Sequence, residues 1–156
     1  MKTKNNRQKE GMVDISHKEV TKRTAVACGR ITMSPKAFKA LVNQQSPKGD
    51  VFETAKVAGI MAAKSTPAII PMCHPLELNK IKITFKKDSK ASSIHIESEV
   101  VCLGRTGVEM EALTSVAAAA LTIYDMMKWA DKAMVISNIK LLRKTGGKSG
   151  DFHGAR

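Results

Sequence analysis

The sequence predicts an α+β fold in which helices cover one face of a four-stranded antiparallel sheet. Two segments, KIKITFK at 80–86 and SIHIESEVVC at 93–102, alternate polar and apolar residues as strands with one buried face do. Helix start signals precede other apolar or alanine-rich stretches. Because 43% of the 156 residues are hydrophobic and only 4% are aromatic, we expect one aliphatic core of closely packed small side chains.

The first two elements are predicted to be a strand and a short helix. Residues 25–33 (AVACGRITM) are typical of a strand. Ser34 suits the N-cap of a helix and Pro35 its first position. We expect this helix to end near Asn43.

A second helix is predicted to open at Asp50, after a turn rich in glycine, proline and serine. Asp50 and Glu53 form a D-x-x-E pattern that resembles a capping box. Val57, Ile60 and Met61 lie at spacings of three and four, which predicts one apolar stripe along this helix.

The middle of the chain is predicted to be a loop followed by a hairpin. Residues 66–78 (TPAIIPMCHPLEL) contain three prolines, which fit neither a helix interior nor a sheet ladder, so we expect an irregular, rigid loop. The alternating segments 80–86 and 93–102 follow with a polar turn between them, and they predict a β-hairpin.

A long helix and a strand are predicted to complete the domain. Thr106 and Glu109 give a T-x-x-E capping box, which would open a helix running through the alanine cluster to about Trp129. A final strand is predicted at 134–142. The order strand, two helices, two strands, helix, strand is that of a ferredoxin-like, split βαβ arrangement with one extra helix.

The chain divides into three predicted parts. Residues 1–24 carry many basic residues and little apolar periodicity, which is typical of a mobile arm. Residues 25–145 are the predicted ferredoxin-like domain. The glycine-rich, basic segment 146–156 is expected to be a tail.

The composition limits the kinds of partner. Lysines and arginines number 26 against 14 acidic residues, and the net charge of +12 concentrates anions such as nucleotides, nucleic acids and anionic membrane surfaces. The three cysteines form no C-x-x-C pair, so neither a disulfide framework nor a structural zinc site is indicated. The polar N-terminus lacks a secretory signal, and no apolar run reaches the roughly 18 residues of a membrane span. We therefore expect a cytoplasmic protein without a membrane partner.

One candidate site is the loop that carries Cys73 and His74 between Pro71 and Pro75. The two prolines would hold both side chains in one fixed arrangement, which catalysis and binding require. The alternative is that Cys73 is a small buried apolar residue and that His74 hydrogen-bonds the backbone. A single Cys-His pair is weak evidence for a metal site.

A second candidate is the start of the long helix, at Gly104–Glu111. Glycines and free backbone N–H groups at a helix N-terminus suit a phosphate, but the carboxylates of Glu109 and Glu111 would repel one. These carboxylates either cap the helix or serve as catalytic groups or acceptors for the edge of a purine.

A third candidate is the pair Asp125 and Lys128, which are neighbours on one helix face. An exposed i,i+3 ion pair is the ordinary explanation. The functional alternative is a buried aspartate that orients the lysine while nearby lysines lower the lysine pKa towards neutrality, which would let it exchange protons.

The remaining candidates are basic residues on loops: Arg23, Lys48, Lys144 and Lys148. The run RKTGGKSG is superficially similar to a phosphate-binding loop, but the first glycine of that motif is missing. Solvated lysines are one interpretation. Alternatively, lysines beside glycines bring charge and backbone amides to a triphosphate.

Six strings in this chain resemble one family, the cyclic pyranopterin monophosphate synthases or MoaC-type proteins. They occur in order and with intact spacing from about residue 12 to residue 151. The strings are MVDIS at 12–16, KGDV at 48–51, IPMCHPL at 70–76, TGVEMEALT at 106–114, ALTIYDM at 120–126 and GGKSG at 146–150.

The resemblance implies an activity and an assembly. The family rearranges 3′,8-cyclo-7,8-dihydroguanosine 5′-triphosphate to cyclic pyranopterin monophosphate with loss of pyrophosphate, as a phosphorus–oxygen lyase of molybdenum cofactor biosynthesis. It also implies a ferredoxin-like subunit in a homohexamer, a trimer of dimers, with each active site at a dimer interface. No cofactor is required by the sequence, although Mg²⁺ can accompany the triphosphate.

The resemblance also implies roles for residues of this chain. The catalytic centre is expected to contain Lys128, Asp125 and Lys48, with Lys128 as the principal acid/base. The pocket for the guanine-like ring of the substrate is expected to be lined by Cys73, His74, Glu109, Met110 and Glu111. The phosphates are expected to contact Arg23, Lys64, Lys144 and Lys148.

Departures from the family pattern are few. Arg105 stands where a lysine is more usual, Met127 where a cysteine often precedes the lysine, and Thr145 where a serine is common. None of them removes a proposed catalytic group.

Two other functions compete with the synthase. Basic ferredoxin-like sheets often bind RNA by stacking bases on aromatic residues, but the predicted strands offer little beyond Phe85, so we expect no nucleic-acid partner. A nucleotide sensor would share the basic pocket, but it would not need Lys128 and Asp125 together.

Overall fold

The structure, a computed structural model, describes residues 11–155. Within that range the predicted α+β fold, consistent with a ferredoxin-like arrangement, is confirmed. The elements are, in chain order, β1 (Thr21–Thr32), α1 (Pro35–Val42), α2 (Val51–Lys64), α3 (Thr66–Ile69), β2 (Leu78–Asp88), β3 (Ser93–Gly104), α4 (Glu109–Met127), β4 (Val135–Thr145) and β5 (Phe152–His153).

The strands form one antiparallel sheet in the order β2-β3-β1-β4-β5. Helix α4 lies across β1, β3 and β4, and α2 packs beside α4 and against β2. The helix-facing side of β1 is fully covered, since Ala25, Ala27 and Ile31 have at most 1% of their surface exposed. These residues and the aliphatic side chains of α4 form the predicted small-residue core.

The two ends of the sheet differ from the prediction. Strand β1 begins at Thr21, four residues before the predicted start of the domain, because the chain continues to pair with β3 as far as Gly104. A fifth strand, β5, lies in the predicted tail and pairs with Arg143 and Lys144 of β4. Among residues 11–155 the sheet therefore has five strands rather than four. Residues 1–10 of the predicted arm lie outside the described residues.

The predicted apolar stripe of α2 is wrong. Val57 and Met61 have 54% and 62% of their surface exposed, and the buried face of α2 is made instead by Val51, Ala55, Gly59 and Ala63. The reason is that α2 packs closely against α4. A Cβ at Gly59 would lie 2.9 Å from the Ser115 carbonyl oxygen of α4. Small residues at four-residue spacing thus decide which face packs.

Helix starts follow the prediction at α1 and α2. Ser34 Oγ accepts a hydrogen bond from the Ala37 N–H, and Asp50 Oδ1 accepts one from the Glu53 N–H. Part of the proline-rich segment is regular, contrary to prediction, because Pro67 falls in the first turn of α3, where a missing N–H is tolerated.

The predicted capping box of α4 is also wrong. The helix begins at Glu109 with Val108 at the N-cap, and no side chain in the described part of the chain caps it. Glu109 is engaged elsewhere, since its Oε1 lies 3.1 Å from Lys144 Nζ of β4. The backbone N–H groups of the first turn of α4 are therefore not capped by Thr106 or Glu109. The Glu109 carboxylate instead contacts Lys144.

Candidate active site

Helix α4 places predicted functional groups at both of its ends. Glu109, Met110 and Glu111 occupy the first turn, whereas Asp125 lies in the last turn and Lys128 is the C-cap. At a rise of 1.5 Å per residue, Glu111 and Asp125 are about 21 Å apart along the helix axis. Within the chain the residues predicted for the catalytic centre and for the pocket therefore form two separate groups.

At the C-terminal end, Lys48, Asp125 and Lys128 form what we call the lysine cluster. Asp125 Oδ1 lies 2.8 Å from Lys128 Nζ, and Asp125 Oδ2 lies 2.7 Å from Lys48 Nζ. Helical spacing brings Asp125 and Lys128 together, but Lys48 comes from the loop between α1 and α2. Buried Ser46 fixes that loop: its hydroxyl donates to the Met126 carbonyl (3.1 Å) and accepts from the Lys48 N–H (3.2 Å).

The charges of the lysine cluster stabilise one another. Hydrogen bonds from Lys128 and Lys48 lower the pKa of Asp125 to about 2, and the hydrogen bond to Asp125 raises the pKa of Lys128. The hypothesis of a buried aspartate beside a lysine of lowered pKa is therefore wrong for this chain by itself, in which 52% of each of these two side chains is exposed. At neutral pH Lys128 is therefore an ammonium group, stabilised by Asp125.

At the N-terminal end of α4, a cavity of about 150 Å³ separates the first helical turn from the loop after α3. We call it the carboxylate pocket. It is lined by all five of the residues predicted to surround the ring of a substrate. These residues are Cys73, His74, Glu109, Met110 and Glu111.

Glu111 is the buried acid of the carboxylate pocket, with 3% of its surface exposed. Burial raises its pKa, and the charge of Glu109 adds to the effect. The pKa of the Cys73 thiol is raised as well, first by burial and then by the charge of Glu111. A carboxylate in this position is stabilised by N–H donors, and the edge of a guanine-like base presents such donors.

His74 makes a hydrogen bond to the backbone, as in the alternative interpretation of the sequence. Its Nε2 lies 2.7 Å from the carbonyl oxygen of Val13. Because a carbonyl oxygen only accepts, Nε2 carries a proton and donates it. The Nδ1 atom of the ring is left for solvent or for a ligand in the pocket.

Next to the carboxylate pocket is a larger cavity of about 440 Å³, which we call the anion cleft. Glu109 lines both cavities, so they adjoin. The cleft has more basic than acidic side chains and several hydroxyl groups. Its basic residues are Lys18, Arg23, Arg105, Lys144 and Lys148, and its acidic residues are Glu19 and Glu109.

Arg23 is fixed in the wall of the anion cleft. Its Nε donates to the Gly104 carbonyl (3.2 Å) and its Nη2 to the Arg105 carbonyl (3.3 Å). The loop after β4 passes so close that a Cβ at Gly147 would lie 1.6 Å from Arg23 Nη1, and Gly147 has a φ of +88°. Glycine is required here both for space and for backbone conformation.

The other predicted phosphate ligands differ in placement. Lys144 is paired with Glu109, so a phosphate would compete with that carboxylate. Lys148 lies exposed in the turn between β4 and β5 and lines the anion cleft. Lys64 is exposed at the end of α2, at the same end of the helix layer as the carboxylate pocket, but it lines neither cavity.

Sequence reasoning missed two cleft residues and one supporting residue. Lys18 fell within the predicted arm. Arg105 lay inside the candidate range 104–111, but it was singled out only as a departure from the family pattern and was given no role in binding. Ser46 looked like an ordinary turn residue, and nothing in the sequence shows that its hydroxyl reaches Met126.

Two further properties concern cofactors and membranes. In residues 11–155, no group of three or more His, Cys, Asp or Glu side chains is placed to hold a metal ion. In the same part of the chain, no helix is long and apolar enough to cross a membrane. Magnesium bound to a triphosphate stays a prediction, and the cations of the anion cleft would share the phosphates with it.

Comparisons with known proteins agree on one family. The model of the MoaC family matches residues 12–147. The chain is 57% identical over 141 residues to the cyclic pyranopterin monophosphate synthase of Desulfatibacillum aliphaticivorans, covering 90% of this chain and 89% of the relative.

Other relatives carry the same name. The protein of Staphylococcus carnosus is 54% identical over 142 residues, which cover 90% of this chain and 88% of the relative. That of Chloroflexus aurantiacus is 51% identical over 145 residues, which cover 93% of this chain and 89% of the relative. Both the lysine cluster and the carboxylate pocket lie within the range that the family model matches.

Proposed function

This chain belongs to the MoaC family, and we propose that it is a cyclic pyranopterin monophosphate synthase of molybdenum cofactor biosynthesis. The observation that carries the proposal is the similarity itself, since relatives of that name are 51–57% identical over at least 90% of the chain. The geometry of the lysine cluster and of the two cavities supports the roles given below to individual residues.

The proposed substrate is 3′,8-cyclo-7,8-dihydroguanosine 5′-triphosphate, and the proposed products are cyclic pyranopterin monophosphate and pyrophosphate. To close the cyclic phosphate, a hydroxyl oxygen of the sugar-derived part attacks the α-phosphorus. The hydroxyl loses its proton to solvent, the bond from that phosphorus to the bridging oxygen breaks, and pyrophosphate leaves with the bonding electrons. No water is consumed in this step, which makes the enzyme a phosphorus–oxygen lyase.

The lysine cluster would supply the proton transfers. Opening the guanine-derived ring and forming the pterin require protons to be added and removed at several atoms. Lys128 is charged at neutral pH and Asp125 is ionised, so Lys128 first donates a proton and then accepts one as a neutral amine. Lys48 holds the other oxygen of Asp125 and keeps the carboxylate directed at Lys128.

The two cavities would supply recognition. In the carboxylate pocket, Glu111 and Glu109 accept hydrogen bonds from the N–H edge of the base, and Cys73 and His74 shape the opposite wall. In the adjoining anion cleft, fixed cations stabilise the charge that develops on the departing pyrophosphate.

The separation of the two groups supports an active site shared between subunits. A proton donor must come within hydrogen-bonding distance of the reacting atom, and the ring that Glu111 would hold is the ring that reacts. Asp125 of the same subunit is about 21 Å away along α4. We therefore infer that the lysine cluster of one subunit completes the carboxylate pocket of another, within a dimer of a proposed hexamer in the cytoplasm.

Turnover of the cyclic dihydroguanosine triphosphate tests the function. We expect the wild-type protein to release pyrophosphate and form the pterin product, and the Lys128→Ala variant to do neither while remaining folded. Lys132→Ala is the matched control, because Lys132 is an exposed lysine four residues away and outside the cluster. A wild-type protein that binds the nucleotide but never converts it would contradict the synthase and favour the sensor.

An RNA-binding function has less support. Phe85, the aromatic residue considered for base stacking, packs against Phe52 of α2 with ring centroids 5.2 Å apart. The sheet face away from the helices carries ion pairs instead, among them Lys80–Glu99 and Arg143–Glu99. Glu99 thus occupies two cations that a phosphate backbone would otherwise contact.

A further inference from the structure

The segment that precedes β1 forms one wall of the anion cleft. Two side chains hold its backbone: His74 donates to the Val13 carbonyl oxygen (2.7 Å), and Arg105 Nε donates to the Lys18 carbonyl oxygen (2.8 Å). Lys18 and Glu19 line the cleft. The position of this wall therefore depends on one residue of the carboxylate pocket and on one residue of the anion cleft.

Arg105 has donors that the rest of the described chain does not use. Within residues 11–155 only its Nε makes a hydrogen bond, although the side chain is exposed and lines the anion cleft. By contrast, two nitrogens of Arg23 donate to backbone carbonyl oxygens, and Lys144 is paired with Glu109. Arg105 thus combines a fixed position with unused N–H groups on both Nη atoms.

The backbone of Arg105 is also fixed from the other side. Arg23 Nη2 donates to the Arg105 carbonyl oxygen, and Arg105 Nε in turn donates to Lys18. Hydrogen bonds from the two guanidinium groups therefore connect β1 to the loop after β3, and that loop to the segment before β1. A phosphate bound beside Arg105 would meet a wall that is already in place, which lowers the ordering cost of binding.

We propose that Arg105 both binds a phosphate of the substrate and positions the segment around Lys18. The planar guanidinium does both at once because its Nε and Nη donors point in fixed and different directions. A lysine at this position, which the family more often has, carries its donors on a single nitrogen and cannot serve both partners with the same geometry. The ligand's identity rests on the proposed function, whereas the anion-binding role of Arg105 does not.

Calorimetric titration with pyrophosphate, without turnover, tests the binding role. Hydrogen bonds to charged groups contribute about 1.5–3 kcal/mol, so we expect Arg105→Ala to weaken pyrophosphate binding about tenfold or more. Arg105→Lys should lie between this variant and wild type and, in turnover, raise KM more than it lowers kcat. Lys36→Ala removes an exposed charge on α1, outside the cleft, and should bind as wild type does.

Hydrogen exchange tests the positioning role. Amides at 16–20 should exchange faster in both Arg105 variants and unchanged in Lys36→Ala, with the melting temperature as the check on folding. Wild-type pyrophosphate affinity in Arg105→Ala would overturn the binding role, and unchanged exchange at 16–20 would overturn the positioning role. A protein that shows both effects but never converts the nucleotide would contradict the proposed function while leaving this inference intact.

Discussion

The two ends of α4 are built on different physical principles. At the C-terminal end, the lysine cluster consists of half-exposed side chains held by charge, with Asp125 between two lysines at 2.7 and 2.8 Å. At the N-terminal end, the carboxylate pocket holds a nearly buried acid, Glu111, whose pKa is raised by burial. The C-terminal end thus stabilises charged side chains, which suits proton transfer. The N-terminal end destabilises a charged side chain, which suits recognition of a ligand with N–H donors.

The difference also explains which end is easier to find in a sequence. The pair Asp125 and Lys128 follows from helical spacing alone. The carboxylate pocket also needs Cys73 and His74, which lie on a loop more than thirty residues before α4 in the chain. The strand order of the sheet brings this loop to the helix. Substitutions at the two ends should therefore fail in different ways, and four of them rank from large to small effect.

Asp125→Asn should have the largest effect, a loss of about 100-fold or more in kcat. Without the carboxylate, Lys128 loses the partner that raises its pKa, so the basic limb of the pH–rate profile should move to lower pH. Glu53→Gln is the matched control, because Glu53 and Lys56 form an exposed i,i+3 ion pair on α2. Equal pH profiles for Asp125→Asn and wild type would contradict the role of the cluster.

Gly147→Ala should come next, with about tenfold weaker pyrophosphate binding and a destabilisation of about 1–3 kcal/mol in thermal unfolding. The added Cβ would displace Arg23, and the backbone has a positive φ. Gly150→Ala separates these causes, since Gly150 has a φ of +70° but nothing within 4 Å of its Cβ position. If both variants bind pyrophosphate equally well, the contact with Arg23 does not matter.

Glu111→Gln should raise KM several-fold with a smaller change in kcat, because the amide presents a donor where the base edge also presents donors. It should also stabilise the fold at high pH. The folded-state pKa of Glu111 is raised, so ionising it costs stability as pH rises from the ordinary pKa through the raised one.

Thermal unfolding checks the second part of this prediction. We expect Glu111→Gln to melt about 2–4 °C above wild type at pH 8, the shift that about 1 kcal/mol produces in a domain of this size, and no higher at pH 4. Glu77→Gln, at an exposed glutamate, should show no such difference. A lower melting temperature at pH 8 would mean that the Glu111 carboxylate is stabilising.

Ser46→Ala should have the smallest effect, a loss of a few-fold in kcat and about 1 kcal/mol of stability. The hydroxyl links the loop that carries Lys48 to the Met126 carbonyl, and its loss leaves that loop less fixed. Ser89→Ala, at an exposed serine, is the control. A kcat equal to that of wild type would show that Lys48 is held by Asp125 alone.

Much of the fold was predictable because local patterns and tertiary packing agree. The β2–β3 hairpin follows from strict alternation, and α1 and α2 begin at the expected caps Ser34 and Asp50. The exposure of Val57 and Met61 on α2 was not predictable. The close contact between Gly59 and α4 decides which face of α2 is buried, and these two large apolar residues lie on the face that is left exposed. Local propensity cannot register such an approach between distant segments.

The candidate site shows the same division. Every predicted residue of the carboxylate pocket lines one cavity. These residues could be predicted because the sequence strings that carry them are distinctive. The exposure of Asp125 and the anchoring of Lys18 by Arg105 depend on contacts between distant parts of the chain. The same holds for Glu109, whose ion pair with Lys144 replaces the capping role that its sequence position indicates.

Activity of mixed assemblies tests most directly whether the two ends of α4 work together across subunits. Lys128→Ala subunits, which should be inactive alone, and Glu111→Gln subunits, which should turn over with a raised KM, would be coexpressed with different tags and purified by both. Sites shared between two subunits should restore turnover with the wild-type KM, at up to about one half of the wild-type kcat, because a mixed dimer regains one intact site of two. Mixed assemblies whose only activity has the raised KM of Glu111→Gln would contradict the shared site.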